Sequence, residues 1–491
     1  MLYKIATRLS LLLLLYMSFL SGITSCKKFI EISPPVNSIT TAQVFSSDAQ
    51  INSALAGIYT KMSKDQGAVA GGFSNGAATI YCGLSSDELM PYTNAGDNLQ
   101  FSSNFLLPTN GAVLNAFWSP AYFYIYQANS IIEGLTGSSG IDDSSRSESI
   151  GEAKFIRAFC YFYLTNLFGD VPLALTTNFN QIAGMARTPQ ATVYKQIVQD
   201  LQDAQSLLAT DYSVGGGERI RPNKWTAKAM LARTYLYQGQ WDSVEVESSA
   251  VINNSQYGLV SNLNNVFDKN SSEAIWQLQL NVTISPFNGT YEGGDFIPYL
   301  SAAGFPPAII NSYPSYFLPQ YFLSTQLVNS FEVNDQRMTN WTGTVTVKGI
   351  RYYYPYKYVV GPHQQSDQGD IPQYYMMLRL AEQYLIRAEA RAQLGRNLIG
   401  AANDLDSIRV RAGLPPTTAS SQSDLLIAIQ HERQTEFFAE WGHRWLDLKR
   451  TGQANYVLGP IKSGWDHHDQ LYPIPQSEML LDPVLTQNSG Y

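Results

Sequence analysis

Cysteine is almost missing from this 491-residue chain, which holds only Cys26, Cys82 and Cys160. None of the three has the close spacing of a zinc or cluster site, so a cysteine-built metal centre is excluded, and no metal or cofactor is expected. Cys160 falls inside a helical apolar pattern, and Cys82 and Cys160 fit inert buried thiols better than a disulfide. Long apolar runs are scarce too. Leu9 to Leu20 is the longest, at about 12 residues where a spanning helix needs roughly 20, so no retained transmembrane helix is expected. Cationic excess is also absent. There are 32 Lys and Arg against 40 Asp and Glu, a net charge of −8, which argues against nucleic acid and anionic lipid as partners.

Signatures of catalysis are equally thin. No His-Glu-x-x-His helix, phosphate loop or dinucleotide fingerprint is present. Gly215-Gly216-Gly217 lacks a following Lys-Ser/Thr and reads as a flexible loop. Trp465-Asp466-His467-His468-Asp469 has no partner at helical or hairpin spacing and reads as a solvated loop rather than a metal site. Asp87 and Glu88 are adjacent, which gives no hint of the separated carboxylate pair of a glycosidase.

What is present begins at the N-terminus. Lys4 and Arg8 precede the apolar run, and Ile23-Thr24-Ser25-Cys26 supplies small residues before a cysteine. This is the layout of a secretory signal over residues 1–25 with a lipobox at its end. Acylation of Cys26 by two or three chains would anchor the mature protein stably, since one chain binds only marginally. With Lys4 and Arg8 removed, 30 basic and 40 acidic residues remain, a net of −10.

Beyond the anchor the pattern is mainly α. Apolar residues recur at helical spacing over 51–62, 118–135, 152–168, 194–208, 221–238, 242–252, 376–394, 401–412 and 424–448. Leu231, Ala232, Tyr235 and Gly239 fall at the packing offsets of a tetratricopeptide repeat, with Val244 where a smaller residue is usual. A weaker second match lies around Ala388-Glu389-Ala390 and Leu394-Gly395. An unrelated α-hairpin fits as well, and either way the helices must stack to bury their stripes.

Two stretches break this frame. Residues 67–110 are polar and Gly-rich, and 253–373 are crowded with aromatics, with strand-like alternation at 274–280 and 342–347. The expected organisation is therefore a helical region over 26–252 containing the loop 67–110, an aromatic ligand-binding region over 253–373, and a helical region over 374–491. Planar rings stack on the apolar faces of sugars while Asn and Asp meet the hydroxyl rims. Tyr92, Asn94, Asp97 and the neighbouring Asn98 form such a mixture in the first loop, and Tyr291, Tyr299, Trp341 and Tyr353 in the second. Each of these rings could instead be core filler, but collectively some should be exposed. In the run Glu436–Arg450, Glu440 and Arg444 are spaced for a helical ion pair, with Arg433 and Arg444 as candidate partners for Glu436 and Glu440. Trp441 and Trp445 would lie one turn apart, and the whole run reads as a buried ionic network rather than a catalytic site.

An ordered set of segments carries a resemblance. Cys26 followed by Phe29-Ile-Glu-Ile-Ser-Pro34, Ala54–Tyr59, Ala153–Leu164 with Phe168-Gly-Asp-Val-Pro172, Arg379-Leu-Ala-Glu382, Ala388-Glu-Ala390, Glu436–Arg450, Pro473-Ile-Pro475 and Gln487–Tyr491 are together similar to the SusD/RagB family of surface lipoproteins. Lys27-Lys28 stand where acidic residues often follow the lipidated Cys in surface-exposed members, and Ser489 where Pro is usual. The resemblance implies about four helical-repeat pairs supporting irregular loops. It implies a non-catalytic protein of the outer membrane that captures oligosaccharide, or peptide in some members, for a TonB-dependent SusC-like barrel. The family's ligand loops vary, so the binding residues named above rest on composition and position. Peptide capture would favour backbone-pairing edges, a lipid-anchored glycosidase would need two facing carboxylates, and a purely protein-binding scaffold would bury the aromatic loops.

Overall fold

Helices form where apolar residues recur every three to four positions, because the stripe each one makes is buried against a neighbour. The computed structural model describes residues 45–64, 72–138, 140–283 and 286–491. The signal-type start and Cys26 lie outside them. Asp48–Lys64 (α1) buries Ile51, Leu55, Ile58 and Met62. After Ala78–Ser85 (α2) come Ser119–Leu135 (α3), Asp143–Phe168 (α4), Gln190–Leu207 (α5), Lys224–Tyr237 (α6) and Trp241–Ile252 (α7). The C-terminal part holds Leu380–Leu394 (α8), Leu398–Arg411 (α9), Gln422–Glu436 (α10) and His443–Arg450 (α11).

These helices stack in series: α3 on α4, α4 on α5, α5 on α6, α6 on α7, α7 on α8 and α8 on α9. The tetratricopeptide-like spacing marks a real helical hairpin. Gly239 has φ +66° between α6 and α7, a left-handed turn that a side chain would strain, while Leu231, Ala232 and Val244 are fully buried. Gly395, at φ +65°, caps α8 in the same way before α9. The repeat α7–α8 is discontinuous in sequence, since the whole aromatic excursion lies between two helices that pack directly. Cys82 and Cys160 are free, buried thiols.

Among the described residues six short strands pair antiparallel, two by two. Leu89–Pro91 (β1) pairs with Tyr321–Leu323 (β3), Ala274–Leu278 (β2) with Tyr375–Arg379 (β6), and Thr342–Val347 (β4) with Ile350–Pro355 (β5). The pair β1–β3 stitches the first excursion to the second. Residues 376–379 belong to β6 and not to the helix their apolar run predicts. Every residue of β6 is buried, so no alternation betrays it. Residues 72–110 are also more ordered than their composition suggests. All eight residues of α2 are buried, and a helix without a polar face leaves no periodic signal.

The run 424–448 is not one helix. Ala439, Trp441 and Gly442 have φ of 50°, 51° and 66°, and this left-handed turn separates α10 from α11. Glu440 and Arg444 therefore do not share a face. Arg444 instead donates to both oxygens of Asp87 at 2.8 Å, and Arg433 donates to Asp447 at 2.7 Å. Trp441 donates its indole N–H to the Met376 carbonyl at 2.7 Å, while Trp445 lies against Tyr472 with ring centroids 6.1 Å apart.

Glu436 and Glu440 take their cations from the excursion, from β6 just after it and from α9. Glu436 faces Arg379 at 2.6 Å, Arg337 at 3.0 Å and Arg411. Glu440 accepts from Arg379 Nε at 2.8 Å and from Lys357 at 2.5 Å. Arg337 also holds Asp335 at 2.7 Å and Glu432 at 2.6 Å. Burial alone would raise the Glu436 carboxyl, but Arg411, Arg379 and Arg337 outweigh it and hold the group well below the ordinary carboxylate range. The network clamps the base of the aromatic excursion to α10 and the turn after it.

Candidate binding cleft

The hairpin β4–β5 builds one wall of an open cleft. Lys348 and Gly349 form its two-residue turn with φ of 50° and 79°, the left-handed pair a tight hairpin needs. Its register sets Gly343 opposite Tyr354, Thr344 opposite Tyr353 and Val345 opposite Tyr352. Gly343 has no side chain to spare room for, because a Cβ there would lie 2.2 Å from the Tyr354 ring. That close approach lays Tyr354 flat along the strand. Val345 and Val347 pack beneath with Ile310, Phe317 and Leu318 and give the wall a rigid backing.

The cleft has a volume of about 720 Å³ and is shared between Tyr354 and Tyr356 on one side and Tyr299 and His363 on the other. Tyr299 is 48% exposed, and its ring meets His363 edge-on at 5.5 Å. Tyr354 and Tyr356 stand 6.3 Å apart at 77°. Burial, and then Tyr356 beside it, raises the Tyr354 phenol above its ordinary value, so it is a neutral donor at physiological pH. The hydroxyls of Tyr299, Tyr354 and Tyr356 and the His363 ring form no hydrogen bond with any described residue. Such exposed and half-buried rings with unspent polar tips can stack on an apolar face and bond its polar rim.

Of the residues expected to bind ligand, Tyr299 alone lines this cleft. Trp341 is 1% exposed and cannot offer its ring to a ligand. Its N–H donates to the Leu263 carbonyl at 2.9 Å, and Lys357, Arg379 and Arg411 surround the ring at 4.6, 5.7 and 5.8 Å. Burial among these cations makes Trp341 part of the clamp, which corrects its assignment as a platform. Tyr353 is half-buried opposite Thr344 and does not itself line the cleft. Tyr291 is partly buried at the start of the short helix Tyr291–Phe296, where its N–H donates to Tyr375 Oη at 2.5 Å. Tyr92 is 41% exposed at the end of β1, where its N–H donates to the Gln320 carbonyl at 2.8 Å. Asn94 accepts from Ser102 at 2.9 Å and Asp97 from the Ala112 N–H at 3.1 Å, so both carboxamide and carboxylate hold their own loop. The first-loop group thus sits at the β1–β3 edge, linked to the hairpin through Phe322 and Tyr352, whose rings are 5.0 Å apart.

Sequence reasoning passed over Tyr354, Tyr356 and His363. Within Tyr352–Tyr356 the ring that reaches the cleft is decided by register with β4, which the sequence does not display. It also took the chain to have no Gly-x-Ser-x-Gly elbow, whereas Gly72-Phe-Ser-Asn-Gly76 has that pattern. Ser74 is fully buried and donates to the Met62 carbonyl at 2.7 Å, so its hydroxyl is not presented at a surface as an elbow requires. No Asp or Glu is among the described residues that line the cleft. Asp466 and Asp469 cap the turn His467–Gln470, where Asp466 contacts His468 Nδ1 at 2.9 Å. No described cluster of three or more His, Cys, Asp or Glu is arranged to hold a metal, and no described helix is long and apolar enough to cross a membrane.

Comparison with known proteins gives the geometry a family. Residues 330–491 match the model described as SusD family, and residues 28–236 match one described as starch-binding associating with outer membrane. Along both of these stretches the chain is similar to the SusD family. It is 26% identical to SusD-like protein P25 of Formosa agariphila over 98% of this chain and 99% of that one. With a SusD-like protein of Bacteroides ovatus it shares 25% identity over 86% of this chain and 78% of the other. Among solved structures, a laminarin-binding SusD-like protein superposes with a TM-score of 0.74 at 25% identity, covering 91% of this chain and all of that one. A SusD superfamily protein of Bacteroides vulgatus gives the same TM-score at 22% identity and the same coverage. The mainly α scaffold of stacked helix pairs is the fold of this family.

Proposed function

We propose that this SusD-like chain is a non-catalytic glycan-binding lipoprotein, anchored through acylated Cys26 on the exterior of the outer membrane, that passes oligosaccharide to a TonB-dependent SusC-like barrel. The observation that carries the binding part is the cleft in which exposed Tyr299 and His363 face half-buried Tyr354 and Tyr356, their hydroxyls unspent, beside a rigidly backed hairpin. A neighbour described as laminarin-binding supports the same ligand class. The absence of a carboxylate among the described lining residues favours holding a glycan over hydrolysing it. Within the first loop, exposed Tyr92 supplies a second contact at the β1–β3 edge.

Affinity electrophoresis against soluble polysaccharides tests this reading, with Tyr299→Ala as the site variant. Retardation by a glycan that weakens in Tyr299→Ala is expected. Retardation by no glycan, together with binding to mixed oligopeptides in calorimetry, would replace the sugar with a peptide.

A further inference from the structure

We infer that the cleft accepts only uncharged oligosaccharide, and rejects chains carrying uronate or sulfate groups. This rests on the glycan-binding reading and narrows it. The chain has 72 charged residues, 32 basic and 40 acidic, yet none of the described residues lining the cleft is Asp, Glu, Lys or Arg.

The nearby cations are committed elsewhere. Lys348 and Arg351 sit at the turn end of the hairpin, away from the described lining. Lys357 follows Tyr356 directly but turns inward to Glu440 and to the Glu436 and Phe438 carbonyls at 2.9 and 2.8 Å. Arg337, Arg379 and Arg411 are buried in the clamp with Glu432, Glu436 and Glu273. A carboxylate or sulfate entering the cleft would shed water with no Lys or Arg to meet it, which disfavours it relative to a hydroxyl. The net charge of −8 adds a repulsion that acts before contact.

What the cleft does offer suits hydroxyls. Phenol groups of Tyr299, Tyr354 and Tyr356, the His363 ring and the Asn264 amide each donate or accept, and none is spent on another described side chain. A sugar hydroxyl is likewise both donor and acceptor. The match is between two neutral, two-way hydrogen-bonding surfaces with rings between them.

The test is native affinity electrophoresis of the full chain in gels that each contain one polymer. Laminarin, pullulan and galactomannan are the uncharged probes, and alginate, polygalacturonate and chondroitin sulfate the anionic ones. At least one uncharged polymer should retard the protein and no anionic polymer should. The retardation should not change between about 0.05 and 0.5 M NaCl, because no charge pairing is screened. Tyr354→Phe, which removes only a hydroxyl, should weaken it by about three- to tenfold. Retardation by an anionic polymer that Tyr299→Ala abolishes would overturn the inference and leave glycan capture standing. Retardation by none of the six, with oligopeptide binding, would remove both.

Discussion

Arg444 grips both carboxylate oxygens of Asp87 at 2.8 Å, across 357 positions of sequence. The pair ties α11 to the approach to β1, and through β1 to β3 in the second excursion. Arg444→Ala leaves Asp87 buried and unpaired, and should cost about 3–5 kcal/mol of stability. Urea unfolding of the variant against the parent measures it, and a change below about 1 kcal/mol would show that the pair is incidental.

Glu88, next to Asp87, behaves in the opposite way. Its carboxylate oxygens have no hydrogen-bond partner among the described residues, and burial, with Asp87 adding to it, pushes the group up to about 8. The folded chain therefore keeps a proton that the unfolded chain releases near the ordinary 4.5. Between those values the unfolded state binds fewer protons, so this group removes stability as pH rises. Asp295, also pushed to about 8 by burial and by Glu292, acts in the same direction. Glu88→Gln should match the parent near pH 5 and exceed it by on the order of a few kcal/mol near pH 8.5, as melting curves at the two values would show.

Tyr299 and Trp341 should separate cleanly. Tyr299→Ala removes a half-exposed ring and should lower glycan affinity about tenfold or more with an unchanged melting temperature. Trp341→Ala empties a buried site among three cations and should cost about 3–5 kcal/mol of stability. Calorimetric titration beside differential scanning calorimetry reads both effects in the same pair of variants.

Gly343→Ala probes the wall itself. The added methyl would sit 2.2 Å from the Tyr354 ring as it now lies, so the ring must swing toward the cleft. Glycan affinity should fall by about an order of magnitude while the clamp behind the hairpin stays intact. Unchanged affinity would mean that Tyr354 does not shape the bound ligand.

Cys26→Ala tests the anchor independently of the ligand. The variant should move from the membrane fraction to the soluble fraction, since the predicted acyl chains are the attachment. Retention through salt and carbonate washes would assign the attachment to something else.

Much of the scaffold was legible because amphipathic stripes such as that of α1 report their own burial. The misreadings of Glu440 and Arg444 share one cause, which is that the deciding partner lies far away in sequence. Glu440 and Arg444 have ideal helical spacing, yet Arg379 and Lys357 claim the first and Asp87 the second. The aromatic crowding over 253–373 located the region that holds the cleft. It could not say which ring faces out, because Trp341 is withdrawn by three cations and Tyr354 is placed by a glycine on the paired strand. The all-buried α2 and β6 carry no period to read.

The direct packing of α7 on α8 brings the two ends of the aromatic excursion together. Because the entropy of closing a loop grows only with the logarithm of its length, doubling the segment between them would cost about 0.6 kcal/mol. The solenoid therefore acts as a fixed socket whose insert can be lengthened, shortened or exchanged at little thermodynamic penalty, so ligand preference can drift while the helical stack stays as it is.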